Sequence, residues 1–117
     1  MTDLLEALYR GDDERVSELL AGEPELNVFE AAAFGRTERL RELLDEDPSQ
    51  ANAFGDDGFQ PLGLACFFGH VEAARLLLDR GADPNLEQGG GFTALDSARH
   101  NGDERLERLL LDRGAGG

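Results

Sequence analysis

Gly69 to Ala82 aligns with Gly102 to Ala115 without a gap, at a spacing of 33 residues. The match extends outward on the same register. Gly58-Phe59 recurs as Gly91-Phe92, Pro61-Leu62 as Ala94-Leu95, and Leu76-Leu77-Leu78-Asp79-Arg80-Gly81-Ala82 as Leu109-Leu110-Leu111-Asp112-Arg113-Gly114-Ala115. A period of this size restricts the chain to architectures in which one small supersecondary unit stacks on copies of itself.

Weaker copies lie upstream. Glu30-Ala31-Ala32-Ala33-Phe34-Gly35-Arg36 leads to Leu40, Leu43 and Leu44, and Leu4, Ala7, Leu8 and Gly11 precede Val16, Leu19 and Leu20. Gly35 to Gly69 spans 34 residues and Gly11 to Gly35 only 24, so the early part of the chain has less room for connecting loops. Each unit reads as two short helices. In the third, a small-residue helix from Pro61 to Phe68 is stopped by Gly69, and a leucine-bearing helix runs from about Val71 to Arg80. Pro61 suits a first helical turn, whose N–H needs no partner. Gly81 and Gly114 suit left-handed C-terminal caps, and Arg80 and Arg113 oppose the helix dipole. Helices this short fall below the ~12–15 residues that persist alone in water, so they must stack.

These residues resemble the ankyrin-repeat family. The family's glycine turn, T-P-L-H, small-residue helix, G-H, leucine helix and G-A-D-x-N are matched by Gly58-Phe59-Gln60-Pro61-Leu62-Gly63-Leu64-Ala65, Gly69-His70-Val71-Glu72, Leu76-Leu77-Leu78 and Gly81-Ala82-Asp83-Pro84-Asn85. The resemblance implies an all-α solenoid of stacked helix-turn-helix pairs, L-shaped, with β-hairpin loops projecting between the later repeats. It divides a single domain of 117 residues into units near 1–23, 24–53, 54–87 and 88–117. Hairpin fingers fit only around 53–61 and 84–94. Gln60 replaces the family's threonine, and Gly63 and Asp96 its histidine, so some hydrogen bonds at the hairpin base are expected to be missing. Glu104 and Glu107 stand where the third unit has Val71 and Ala74, which marks the last unit as a polar cap.

Composition excludes several functions. The chain has 25 acidic residues against 11 basic ones, a net charge of −14, and every basic residue is arginine. Without lysine there is no phosphate-binding G-x-x-x-x-G-K-[ST] loop and no Schiff-base nucleophile. The acidity argues against nucleic acid as a ligand, since phosphate contacts need a basic face. It is concentrated: residues 1–58 hold 16 acids and 5 arginines, and residues 59–117 hold 9 and 6. No basic-then-apolar leader is visible, and no window reaches the ~18 apolar residues of a membrane span. A single cysteine, Cys66, allows no internal disulfide, in keeping with a reducing, cytoplasmic setting and a monomer.

Catalytic chemistry finds little support. Ser17, Ser49 and Ser97 lie outside any G-x-S-x-G turn, and His70 and His100 stand apart from metal-ligand spacing. Asp56-Asp57-Gly58 echoes a fragment of a calcium loop but lacks its alternating ligands and terminal glutamate. No enzyme, cofactor or metal site is expected. Cys66 falls on a core-facing position and reads as an inert thiol. His70 reads as a structural link between adjacent turns.

The aromatic residues carry more information. Phe34, Phe67 and Phe68 flank equivalent glycines, Tyr9 precedes Gly11 by two residues, and Phe59 and Phe92 sit at the finger positions. Together with His100 they predict a protein-binding strip along the concave side of the stack, with aromatic composition suited to an interface core. The alternative is that about half of these rings pack between repeats. The reading favoured is a non-enzymatic module that binds another protein, one with a basic patch. Its competitor is an acidic regulator or inhibitor that mimics nucleic acid on a basic partner. The acidity also fits a simple solubility adaptation.

Overall fold

The computed structural model describes residues 2–55, 57–87 and 91–116. Four helix pairs follow one another: α1 (Asp3–Arg10) and α2 (Asp13–Ala21), α3 (Val28–Ala33) and α4 (Thr37–Glu46), α5 (Pro61–Phe67) and α6 (Val71–Asp79), α7 (Ala94–His100) and α8 (Glu104–Asp112). A 3₁₀ turn, Pro48–Asn52, follows α4. The inner layer is α1, α3, α5 and α7, and the outer layer is α2, α4, α6 and α8. Neighbours within the inner layer pack closely from α3 onward.

Sequence explains each turn between the layers. Gly11, Gly35, Gly69 and Gly102 all adopt positive φ, between 66° and 77°. In every pair the residue after that glycine donates its N–H to an alanine carbonyl five residues back: Asp12 to Ala7, Arg36 to Ala31, His70 to Ala65 and Asp103 to Ala98. A Cβ at these glycines meets the left-handed penalty, and at Gly35 it also collides with the His70 ring. Gly81 and Gly114 close the outer helices in the same left-handed way, at φ 96° and 93°.

The core is built of small residues between inner helices and leucines between layers. Ala31, Ala32, Ala65, Cys66 and Ala98 are fully buried, as are Leu40, Leu44, Leu77, Leu106 and Leu110. Burial, with the Asp103 carboxylate adding to it, pushes the Cys66 thiol up to about 12, so it stays protonated. The first pair is the loosest. Leu4, Leu5 and Ala7 of α1 are buried, but α2 buries none of its residues and leaves Val16, Leu19 and Leu20 half-covered.

Among the described residues no strand forms, so the β-hairpins expected between the later repeats are not seen there. Around Phe54–Phe59 the chain doubles back through Gly55 and Phe59, with the Gly55 N–H donating to the Phe59 carbonyl at 2.8 Å. The second finger tip, Gln88-Gly89-Gly90, lies outside the described residues.

Missing family residues are compensated unevenly. Helix α5 begins at Pro61 with no side-chain cap, as the Gln60 replacement suggests. Helix α7, by contrast, starts with a complete capping box. Thr93 accepts from the Asp96 N–H (3.2 Å), and Asp96 accepts from the Thr93 N–H (3.0 Å). Asp96 thus restores hydrogen bonding expected to be lost with the histidine.

Glu23 is the only non-glycine residue at positive φ (49°) among those described, in the tight link after α2. Glu23→Gly should therefore raise stability by about 0.5–1 kcal/mol in urea unfolding, because it removes backbone strain. Leu77→Ala should lower it by about 2–5 kcal/mol, since Leu77 is sealed between α6 and the inner layer.

Candidate functional site

Inner helices end where the turn glycines begin, so the last residues of α1 and α5 project from one edge of the array. Tyr9 and Phe67 both stand two residues before their glycine, and Phe68 stands one before. The corresponding position of the second pair is the buried Ala33. The Tyr9 ring stacks on Phe68, with centroids 6.3 Å apart and planes within 7°. It also leans on Phe59 (6.4 Å), and Phe67 meets Phe68 edge-on at 5.0 Å. Four rings from α1, α5 and the Phe54–Phe59 loop form one cluster.

The cluster borders a groove of about 460 Å³ lined by Leu8, Tyr9, Phe59, Leu64, Phe67 and Phe68. It is part core and part surface. Phe59 and Phe68 are half-buried, whereas Phe67 keeps 44% of its surface in water and Tyr9 36%. At its edge the Tyr9 hydroxyl donates to Asp57 Oδ2 at 2.8 Å, joining α1 to a loop 48 residues away. The Phe59 N–H donates to Asp57 Oδ1 at 3.0 Å and fixes the same carboxylate from the other side. Desolvation, then the hydrogen bond and the negative charge of Asp57, pushes the Tyr9 phenol above its ordinary value.

The remaining residues of the expected strip lie elsewhere. Phe34 is half-buried against the core. Phe92 is 55% exposed beside the second finger, and His100 is exposed at the end of α7, in the position Phe67 holds in α5. Neither joins the ring cluster. Asp57 was read in the sequence only as part of an incomplete calcium loop, and its bond to Tyr9 spans too many residues for spacing to reveal. A second cleft, about 370 Å³, is lined by Thr2, Leu5, Asn27, Phe29, Phe54, Gly55 and Asp57, and the Asp57–Tyr9 hydrogen bond connects it to the first.

The other singled-out residues hold the stack. His70 places its Nε2–H on the Ala33 carbonyl oxygen at 2.9 Å, and Asn101 donates to the equivalent carbonyl of Phe67. Among the described residues no group of three potential metal ligands converges, and no helix is long and apolar enough to cross a membrane.

The arrangement is that of a repeat scaffold presenting a surface. A family model for ankyrin repeats in three copies matches residues 4–88 and 28–116, and the chain belongs to the ankyrin-repeat family. Among similar proteins, the mouse ankyrin repeat and SAM domain-containing protein 6 is 34% identical over 76 residues, covering 64% of this chain and 9% of that protein. The human DNA-binding protein RFXANK is 38% identical over 77 residues, 66% of this chain and 29% of its own length. The mouse serine/threonine-protein kinase TNNI3K is 46% identical over 44 residues, which are 38% of this chain and 5% of the kinase. The chain thus spans less than a third of each of these relatives. Ankyrin repeats are general protein–protein interaction modules, non-enzymatic in their scaffold role.

Tyr9 is the chain's one tyrosine, so its ionisation can be followed alone by ultraviolet absorbance. Its titration should lie well above pH 10 in the folded protein and move down in Asp57→Asn. A phenol whose pKa is raised by folding supports the fold fully below its unfolded value. Stability should therefore fall as pH rises above about 10, and melting temperatures measured across that range should show the decline.

Proposed function

We propose that this protein is a non-enzymatic interaction module that binds another protein through its inner-helix and finger face. The observation that carries the reading is the ring cluster of Tyr9, Phe59, Phe67 and Phe68, which leaves large aromatic area in water at a preformed groove. Aromatic side chains supply most of the contact energy in protein interfaces, and a rigid surface loses little entropy on binding. Phe92 and His100 extend this face beyond the cluster, and the half-buried Phe34 adds only its exposed edge. Four units near 1–23, 24–53, 54–87 and 88–117 frame it.

The partner carries a basic patch. Residues 1–58 hold 16 of the 25 acidic side chains, on the same half of the chain as Tyr9 and Asp57. Such a field speeds encounter with a cationic surface and weakens with salt. One relative is named as DNA-binding, but a net charge of −14 disfavours direct phosphate contact here. The protein acts as a cytoplasmic monomer, with no cofactor.

Affinity capture with the wild type beside a Phe59→Ala/Phe67→Ala variant tests the face. The variant should lose the specific partner, with a weakening of at least about tenfold for two interface aromatics. An identical captured set at equal strength, from a variant that still melts cooperatively, refutes the assignment. Raising salt should slow association with the authentic partner more than it speeds dissociation.

A further inference from the structure

Asp57 lines the second cleft, and its bond to Tyr9 brings it to the edge of the first, which narrows what can occupy them. Asp57 holds Tyr9 with one oxygen and the Phe59 N–H with the other, so its orientation is set before any partner arrives. An ionised carboxylate has about four acceptor positions, and these two bonds leave about half of them open. Among the described residues no cation pairs with Asp57. Arg10, which borders the first cleft, is committed to Glu6 at 2.7 Å. A carboxylate fixed beside the Tyr9 ring, with no paired cation among the described residues, matches a planar guanidinium, which can bond its oxygens while lying against a ring face.

Resting on the inner-face reading above, we infer that the site takes an extended peptide segment with an arginine between two apolar residues. The arginine pairs with Asp57 against the Tyr9 ring. One apolar side chain enters the cleft bounded by Phe59, Phe67 and Phe68, and the other enters the cleft bounded by Phe29 and Phe54. Tyr9 and Asp57 need not separate for this, because the guanidinium uses the open acceptor positions. The acidic half of the chain draws in the cation, while the flanking apolar residues distinguish this segment from any merely basic one.

Two fluorescein-labelled peptides test the inference, one with the core sequence FGRGL and one with norleucine in place of the arginine. Anisotropy titration should show saturable binding of the arginine peptide, at least about tenfold tighter than its norleucine counterpart, the discrimination expected of a charge-assisted pair. Asp57→Asn removes the charge while its one carbonyl oxygen still accepts from the Phe59 N–H and its amide can donate to the Tyr9 hydroxyl, and it should erase that preference while leaving norleucine-peptide binding unchanged. Phe67→Ala should weaken both peptides alike. Equal affinity for the two peptides, a preference that survives in Asp57→Asn, or no saturable binding by either up to about 1 mM overturns the inference. In that case the inner face still stands if Phe59→Ala/Phe67→Ala loses the natural partner. If that variant also captures normally, both readings fall.

Discussion

Among the described residues no helix exceeds ten residues, and those of the inner layer have six to eight. Helices of this size do not persist alone, so the fold depends on close contact between successive inner helices. Small side chains make that contact possible. Ala31, Ala32, Ala65, Cys66 and Ala98 are fully buried, and a larger group at any of them would push neighbouring units apart. The leucines between layers then fill a space whose width the alanines have set. The first unit packs on the second mainly through α1. Helix α2 is the least covered: it buries no residue, although its Val16, Leu19 and Leu20 carry the same pattern as Leu40, Leu43 and Leu44 of α4.

Polar contacts repeat with the same period and fix how units sit on one another. Asn52 donates to the Gly81 carbonyl and accepts from the Asp83 N–H, and 33 residues later Asn85 does the same with Gly114 and Gly116. Arg80 pairs with Asp45, and Arg113 with Asp79, linking each outer helix to the one before. Exposed ion pairs of this kind contribute only about 0–1 kcal/mol each. Their value is in register: each asparagine satisfies an otherwise unpaired carbonyl at a helix end, and it does so only when the next unit is correctly placed.

The architecture was legible in the sequence because its causes are local and periodic. Glycines that need positive φ, a proline at a first turn and leucines at helical spacing all lie within a few residues of one another. The helices Pro61–Phe67 and Val71–Asp79 came out within a residue of expectation. What was not legible is relational. Arg80 and Arg113 look like dipole partners in sequence, yet they reach back to carboxylates 35 and 34 residues away. Asp96 looked like a lost histidine, and its role appears only beside Thr93. Among the aromatics, spacing predicted a continuous row, but contact also depends on what separates the rings. Tyr9 reaches Phe68 of the third unit, whereas Phe34 of the second is half-buried against the core.

The irregular first half is what gives the regular second half a usable surface. A short link between α2 and α3, with strain at Glu23, leaves no finger over the second unit. The loop of the third unit therefore faces α1 across α3, and Tyr9 can reach Asp57 and two phenylalanines in a single span. Had the second unit carried a full finger and a large residue at position 33, that ring would have been covered or displaced. Concentration of acidic residues in the same half has a matching consequence. Repulsion among them favours no particular fold, but among the described residues it leaves Asp57 hydrogen-bonded to Tyr9 and Phe59 without a cation, beside a groove where a counter-charge is worth most. Degeneracy in the early repeats thus produces both the groove and the charge that it presents.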